Sequence, residues 1–174
     1  MLKTIYILLI MCLPIIGSAQ NSVVQKLFDK YSGQEGFTSV HISSYMFELF
    51  SKFDSEDKEL KEITNSLKSI KILAMDSMAH TKRGIESYRE LANAFKGSDY
   101  KDLMVIKDGK EEVKFLIKDH NDRIMELVML VGGGDDLVMI FLEGDIDLKQ
   151  ISKLSKSMKI DGFEHLDKVA DKKK

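Results

Sequence analysis

The sequence predicts a single α+β domain, with a mixed or antiparallel sheet of about six strands and helices packed mainly on one face. Three observations lead to this prediction. Apolar residues recur with helical spacing in the first half of the chain, whereas from about residue 100 they recur with the two-residue spacing of strands. Turn residues separate four consecutive strand-like runs, which predicts a C-terminal four-stranded meander. No repeat, linker or low-complexity stretch divides the chain.

Helices and strands alternate in the first half of the chain. Val24, Leu27, Phe28 and Tyr31 follow helical spacing, and Ser22 is placed to cap that helix. The same patterns predict a strand over 37–43, a helix over 45–53, a short amphipathic helix over 60–67, a strand over 69–75 and a longer helix over 85–95.

The second half of the chain indicates strands joined by tight turns. Asp108-Gly109 separates runs 102–107 and 112–118, and this pair favours a hairpin because it tolerates positive φ. Further turns at 121–122 and 132–136 flank two nearly continuous apolar runs, 124–131 and 137–142, which we expect to be the central strands. Asp147 and Gln150 form a capping box for a following helix, and 161–174 predict a weak helix with a frayed lysine tail.

Residues 1–19 have the layout of a secretory signal peptide. Lys3 precedes the apolar run 5–13, and small residues at 17–19 favour cleavage after Ala19. The run is too short to span a bilayer, and Cys12 lacks the small neighbours of a lipidation site. We therefore expect an exported, periplasmic protein whose mature chain, residues 20–174, is one domain without a membrane span.

The composition of residues 20–174 excludes several classes of function. This stretch contains no Cys, Pro or Trp, and its 25 Lys and Arg face 28 Asp and Glu. The absence of Cys excludes a disulfide scaffold, a zinc-thiolate site and a cysteine nucleophile. The charge balance does not favour nucleic acid as a partner.

The glycine run 132–134 does not have the pattern of a phosphate-binding loop. Asp135, Asp136 and a strand follow it, whereas a phosphate loop requires Lys-Ser/Thr and a helix. A hairpin turn is the preferred interpretation.

Two patterns in the sequence contain residue types that can bind a metal ion. Acidic residues cluster at 135, 136, 143, 145 and 147, but the calcium-loop pattern is missing and Asp145-Ile-Asp147 is explained by a helix N-terminus. Met75, Met78 and His80 could bind Cu(I), although Met as core filler explains them better. We assign no metal, cofactor or catalytic residue.

No hydrolase motif is present. The four histidines, His41, His80, His120 and His165, stand far apart, and Ser43-Ser44 lacks the glycines of a nucleophile elbow.

The whole predicted mature chain, residues 20–174, resembles the domain-of-unknown-function family 4252, a group of exported, uncharacterised proteins of Bacteroidota. The resemblance rests on motifs at 28–38, 70–73, 105–118, 126–132 and 144–154. It implies lineage, export and a single domain, and it makes a setting beside extracytoplasmic sigma factors an expectation. It implies no catalytic residue.

Three functional hypotheses follow. The leading one is a non-enzymatic periplasmic binding, sensing or interaction module, linked to envelope-stress signalling. The second is a hydrolase whose site assembles only in three dimensions, for example His120 or His41 with Asp135 and Ser43. The third is a structural or chaperone-like binder of peptide or lipid. The sequence does not identify a partner or an oligomeric state.

Overall fold

The fold is seen in a computed structural model, which describes residues 22–53, 62, 65–75, 81–133 and 136–152. The described elements, in chain order, are α1 (Val23–Tyr31), β1 (Phe37–Ser43), α2 (Ser44–Phe53), β2 (Leu67–Met75), α3 (Thr81–Ala94), β3 (Lys101–Asp108), β4 (Glu111–His120), β5 (Arg123–Gly132) and β6 (Leu137–Ile146). The chain becomes helical again at 148–152.

The six strands form one sheet in the order β1-β2-β6-β5-β4-β3. Every neighbouring pair is antiparallel, so the predicted six-stranded sheet and its C-terminal meander are confirmed. The two apolar runs expected to be central are β5 and β6, which lie in the middle of the sheet. The last described strand, β6, pairs with β2 and thereby joins the meander to the N-terminal pair of strands β1–β2, which α2 connects.

The two faces of the sheet carry separate apolar clusters. On one face, α1 and α3 pack against inward residues of the sheet, with Val24 and Leu91 fully buried. We call this the helix face. On the other face, Phe47 of α2 and Leu148 and Ile151 of the final helical turns pack against the remaining inward residues. Both faces of the central strands are therefore buried, which explains their nearly continuous apolar sequence.

The hairpin turns have the conformations that their sequences favour. Gly109, between β3 and β4, has a φ of +58° at the first of two loop residues, the position at which a type II′ turn requires glycine. Asn121 and Asp122, between β4 and β5, have φ values of 51° and 62°, as a type I′ turn requires. Both predicted turns are confirmed.

The register shifts of the sheet all lie at one end of it. They occur near residues 67–69, 102–104, 118–119 and 124–126. Here Gly144 of β6 has a φ of +151°, and a Cβ atom would lie 2.2 Å from the Ser66 carbonyl oxygen. Bulges bend strands and redirect side chains, and they are common beside functional sites. We call this the bulged end of the sheet.

Helix boundaries agree with the sequence pattern except at Leu67, which the pattern predicts to be helical but which begins β2, and at α3. This helix begins at Thr81 rather than near Ile85, because its first turn is polar and carries no apolar periodicity. The signal peptide predicted at 1–19, most of the amphipathic helix predicted at 60–67 and the C-terminal helix predicted at 161–174 lie outside the described residues. Within the described part of the chain, no helix combines the length and apolar character needed to cross a membrane.

Candidate functional site

A line of polar residues crosses the bulged end of the sheet on the helix face. Ser43 pairs with Ser69, Ser69 with Glu143, Glu143 with Glu126, and Glu126 with Lys118, each across one pair of neighbouring strands. We call these five residues the polar row. Residues in register share a face, so a line of polar groups interrupts a surface that is otherwise apolar.

The members of the polar row bond to one another and to a tyrosine beside them. Ser69 Oγ donates to Glu143 Oε2 at 3.1 Å, and the Tyr100 hydroxyl donates to Glu126 Oε2. Lys118 Nζ lies 3.7 Å from Glu126 Oε1 and 3.7 Å from an oxygen of Asp99. The ammonium of Lys118 is thus shared between two carboxylates instead of being held closely by one.

Burial and the neighbouring carboxylates shift the pKa of the Tyr100 hydroxyl. Burial of the Tyr100 ring raises the pKa of its hydroxyl, and the hydrogen bond to Glu126 and the charges of Glu126 and Glu143 raise it further. Tyr100 therefore stays protonated at all physiological pH values. It acts as a fixed hydrogen-bond donor toward Glu126.

Lys71 lies two residues beyond Ser69 on β2 and is also under α1. Only 9% of Lys71 is exposed, and its Nζ donates to Gln25 Oε1 of α1 at 2.6 Å. The same ammonium lies 6.0 Å from the ring centroid of Phe28 and 5.6 Å from that of Phe141. Aromatic faces and one amide oxygen compensate this buried cation in place of a carboxylate.

A pocket of about 390 Å³ opens at the outer end of the polar row. It lies where the N-terminus of α1 faces the segment between α3 and β3, and we call it the α1 pocket. Its lining consists of Ser22, Val23, Lys26, Gly97, Ser98, Asp99, Tyr100 and Lys118. Lys118 belongs to both the pocket and the polar row, and Tyr100 of the pocket lining donates to Glu126 of the row, so the two are connected. The pocket presents charges of both signs within one small space.

A larger pocket of about 670 Å³ lies at the same end of the sheet beside Ile124, Ile146 and Leu148. Three of its charged side chains, those of Arg123, Asp145 and Asp147, already make contacts within the fold. Arg123 Nε donates to Asp145 Oδ1 at 2.9 Å, and Asp147 Oδ1 accepts the backbone N–H of Lys149 at 2.8 Å. We therefore regard the α1 pocket as the better candidate site.

The structure disperses the acidic cluster of the sequence. Glu143 belongs to the polar row, Asp145 pairs with Arg123, and Asp147 caps the turns at 148–152. Asp135 lies outside the described residues. Among the residues that the structure describes, no three His, Cys, Asp or Glu are grouped so that they could hold a metal ion.

The first two glycines of the run lie at the end of a strand and directly after it. Gly132 ends β5 against the ring of Tyr88, and Gly133 follows with a φ of +93°. The hairpin interpretation of this segment agrees with the pairing of β5 and β6 that follows it. Gly134 lies outside the description.

Those residues of the hypothetical hydrolase site that the structure describes do not all lie close to one another. His41 packs edge-on against Phe28, with ring centroids 6.3 Å apart. His120 ends β4, and three strands separate β4 from β1, which carries His41 and Ser43. Met75 of the proposed copper site is buried in the core of the helix face, as core filler should be. His80, Met78 and His165 lie outside the described residues.

Sequence reasoning missed Glu126, Tyr100, Lys118 and Lys71. A signal for two of them was available, because Glu126 and Lys71 are charged residues that interrupt largely apolar runs of their strands. The alternation of β2 places Lys71 on the same side as Leu73 and Met75, which should be buried. A charged residue at an inward position points to a polar site within a core.

Comparison with known proteins agrees with the family resemblance. A family model described as Domain of unknown function (DUF4252) matches residues 31–154, a span that contains every strand of the sheet. No curated protein and no solved structure is significantly similar to the chain. The match covers more than two thirds of the chain. The chain therefore belongs to the domain-of-unknown-function family 4252.

Proposed function

We propose that this protein is an exported, non-enzymatic binding module whose ligand is a small zwitterion of the amino-acid class, held in the α1 pocket. The polar row is the observation that carries the proposal. A sheet face covered by helices normally buries apolar side chains, as Phe141, Val128 and Leu116 do on β6, β5 and β4, in the cross-strand line that continues to Lys71 on β2. Charged groups on such a face cost free energy, so a continuous line of them leading to a pocket favours a binding role.

The charges of the α1 pocket match a zwitterion. Lys26 and Lys118 can donate to a carboxylate, and Asp99 can accept from an ammonium group. The Tyr100 hydroxyl is already committed to Glu126 and holds that carboxylate in place. Lys118 is held loosely, at 3.7 Å from each acid, so it can turn toward a ligand at small cost.

The size of the pocket agrees with such a ligand. A volume of about 390 Å³ falls at the lower end of the range for small-molecule sites, roughly 300–1,000 Å³. Export through the leader at 1–19 would place the module in the periplasm. There, occupancy of the pocket would serve as an input to envelope-stress signalling.

Calorimetry with a matched pair of variants tests the proposal. The purified protein is titrated with neutral amino acids, with amines, with carboxylates and with uncharged sugars. We expect saturable binding of the amino acids alone, and a Lys118→Met variant should weaken it by about tenfold or more. Lys107→Met is the control, because Lys107 is also an ion-paired lysine on the meander but is not part of the pocket lining.

Three results would contradict the proposal. They are the absence of binding by every amino acid, equal binding of amines or sugars, and an unchanged affinity in Lys118→Met. Circular dichroism of both variants would show that any loss reflects the site and not the fold.

A carboxylate pair favours a second candidate, a hydrolase. Glu126 and Glu143 lie directly opposite each other, and such residues have Cβ atoms about 4.5–5.5 Å apart. Glycosidases that retain configuration place two carboxyl groups about 5–5.5 Å apart. Neither glutamate lines the α1 pocket, and for this reason we prefer binding. Turnover of chromogenic glycosides that is lost in both Glu126→Gln and Glu143→Gln would favour the enzyme instead.

A further inference from the structure

The two edges of the sheet are protected to very different degrees. The edge strand β3 carries four charged residues, Lys101, Asp102, Lys107 and Asp108, and a register shift near Asp102. Charges and bulges are the usual means by which an edge strand avoids pairing with another chain. The edge of the sheet at β3 is therefore well protected.

The opposite edge, β1, has none of these protections. Its sequence, FTSVHIS, contains no Asp, Glu, Lys, Arg or Pro, and three of its seven residues are β-branched. Its register with β2 is continuous from Phe37 to Ser43, without a bulge. In the part of the chain that the structure describes, β1 pairs with β2 on one side and with no strand on the other.

Exposed apolar side chains gather beside this edge. Four large apolar residues of the described chain are notably exposed, and three of them lie within seven residues of one another: Val40 at 39%, Tyr45 at 65% and Met46 at 45%. Val40 lies on β1, and Tyr45 and Met46 lie in the first turn of α2, which follows β1 directly. Three of the four exposed apolar side chains thus belong to the unprotected edge strand or to the helix that follows it.

From these observations we propose that β1 pairs with β1 of a second copy of this chain, antiparallel about a two-fold axis at Val40. An axis perpendicular to the sheet requires paired residues to share a face, and pairing about Val40 satisfies this requirement. Phe37 then faces Ser43 of the second copy, Thr38 faces Ile42, and Ser39 faces His41. The two sheets would join into one of twelve strands.

Pairing with a second copy meets no electrostatic repulsion, because β1 contains no Asp, Glu, Lys or Arg. No two like-charged acidic or basic side chains would oppose each other, whereas like charges directly opposite across a ladder are destabilising. The Val40 side chains of the two copies would meet at the axis, on the same face as Phe47 of α2. This contact would cover the exposed apolar side chain at the centre of the edge.

Sedimentation velocity over a range of protein concentrations tests this inference. The expected result is a monomer–dimer equilibrium with Kd on the order of micromolar, because a single strand pair buries little area. Val40→Lys places two ammonium groups at the axis and should weaken dimerisation by about a hundredfold. Val105→Lys is the control, since Val105 is 40% exposed on the other edge strand and should leave dimerisation unchanged.

Cysteine cross-linking gives a second, independent measurement. Cys12 is the only cysteine of the chain, so a Cys12→Ser background carries only the introduced thiol. In this background Val40→Cys should form a covalent dimer under mild oxidation, whereas Val105→Cys should not.

A chain that stays monomeric at all concentrations and gives no Val40→Cys dimer would overturn the inference. Dimerisation that survives Val40→Lys but is lost in Val105→Lys would overturn it as well, because the interface would then lie at β3. Neither outcome depends on the ligand of the α1 pocket.

Discussion

The ring of Tyr88 lies directly on Gly132. A Cβ atom at position 132 would lie 2.3 Å from Tyr88 Cδ2 and 2.7 Å from Tyr88 Cγ. The Tyr88 hydroxyl then reaches across to Glu112, which pairs with Gly132 on the neighbouring strand, and donates to Oε1 at 2.7 Å. The missing side chain of Gly132 therefore allows α3 to approach the sheet closely.

Gly132→Ala should destabilise the protein by about 1–3 kcal/mol, because the added methyl overlaps atoms of Tyr88 that are close to its backbone and cannot easily move. Urea unfolding of the variant measures this loss. In a Tyr88→Ala background the same substitution should cost much less, since the overlapping ring is gone. Equal costs in the two backgrounds would show that the ring is not the reason for the glycine.

Glu112 should make the protein sensitive to acid. The hydrogen bond from Tyr88 and then the contacts with Lys107 hold the pKa of the Glu112 carboxyl below its usual range. A depressed pKa means that Glu112 contributes stability above the ordinary glutamate pKa and loses it as the pH falls through the lowered value. Glu112→Gln should therefore reduce the fall in unfolding free energy between about pH 5 and pH 3. Glu111→Gln, at the exposed neighbouring position, should leave that fall unchanged.

Tyr88 should make the protein less stable as the pH rises in the alkaline range. Burial of the ring and the hydrogen bond to Glu112 raise the pKa of the Tyr88 hydroxyl. Its stabilising effect is therefore complete below the unfolded pKa of about 10 and is lost as the pH rises above that value. The free energy of unfolding of Tyr88→Phe should decrease less steeply with rising pH in alkali than that of the parent protein. Tyr45→Phe, at an exposed tyrosine, should behave like the parent. Parallel alkaline profiles for Tyr88→Phe and the parent would contradict this account.

Gly144 should tolerate no side chain. Its φ of +151° disfavours other residues, and a Cβ atom would lie 2.2 Å from the Ser66 carbonyl oxygen and 2.8 Å from Leu67 Cα. Both obstacles are backbone atoms, so Gly144→Ala should cost about 3 kcal/mol or more. Amide hydrogen exchange should show reduced protection first at the start of β2. Unchanged protection there would mean that the two strands do not approach so closely.

At Gly109 a substitution would change the backbone strain without creating a steric clash. Nothing lies within 4 Å of a Cβ at this position, but its φ is +58°. Gly109→Val should therefore cost about 1–2 kcal/mol through backbone strain alone. Lys110→Ala, at the next loop residue, should have little effect, and thermal unfolding compares the two. An unchanged melting temperature in Gly109→Val would indicate that the turn has another conformation.

The fold could be predicted from the sequence where its determinants are local. The turns at Gly109 and at Asn121-Asp122 follow from residues that accept positive φ, and they define the meander. The pairing of β2 with β6 could not be predicted, because Leu73 and Met139 are far apart in sequence and no turn residue links their strands. Strand order and register at this junction depend on packing across the whole sheet.

The candidate site escaped prediction for the same reason. Glu126 and Glu143 oppose each other in the regular register of β5 and β6, next to the register shift at the bulged end. Period-two alternation shows which residues of one strand share a face, but it does not show which residues of two strands will lie opposite each other. Lys71 was the best available signal, since a lysine at an inward strand position requires a partner.

The central position of β6 determines when the protein can fold. An isolated pair of strands such as β1–β2 is only marginally stable in water. Its next neighbour in the sheet is β6, so the pair cannot join the rest of the sheet until residue 146 has left the ribosome. Closing so long a loop is slow, because its entropy must be lost before the strand pair forms. We therefore expect the complete sheet to form only after β6 has been synthesised, so that the first two strands of the chain are among the last to be fixed in the sheet.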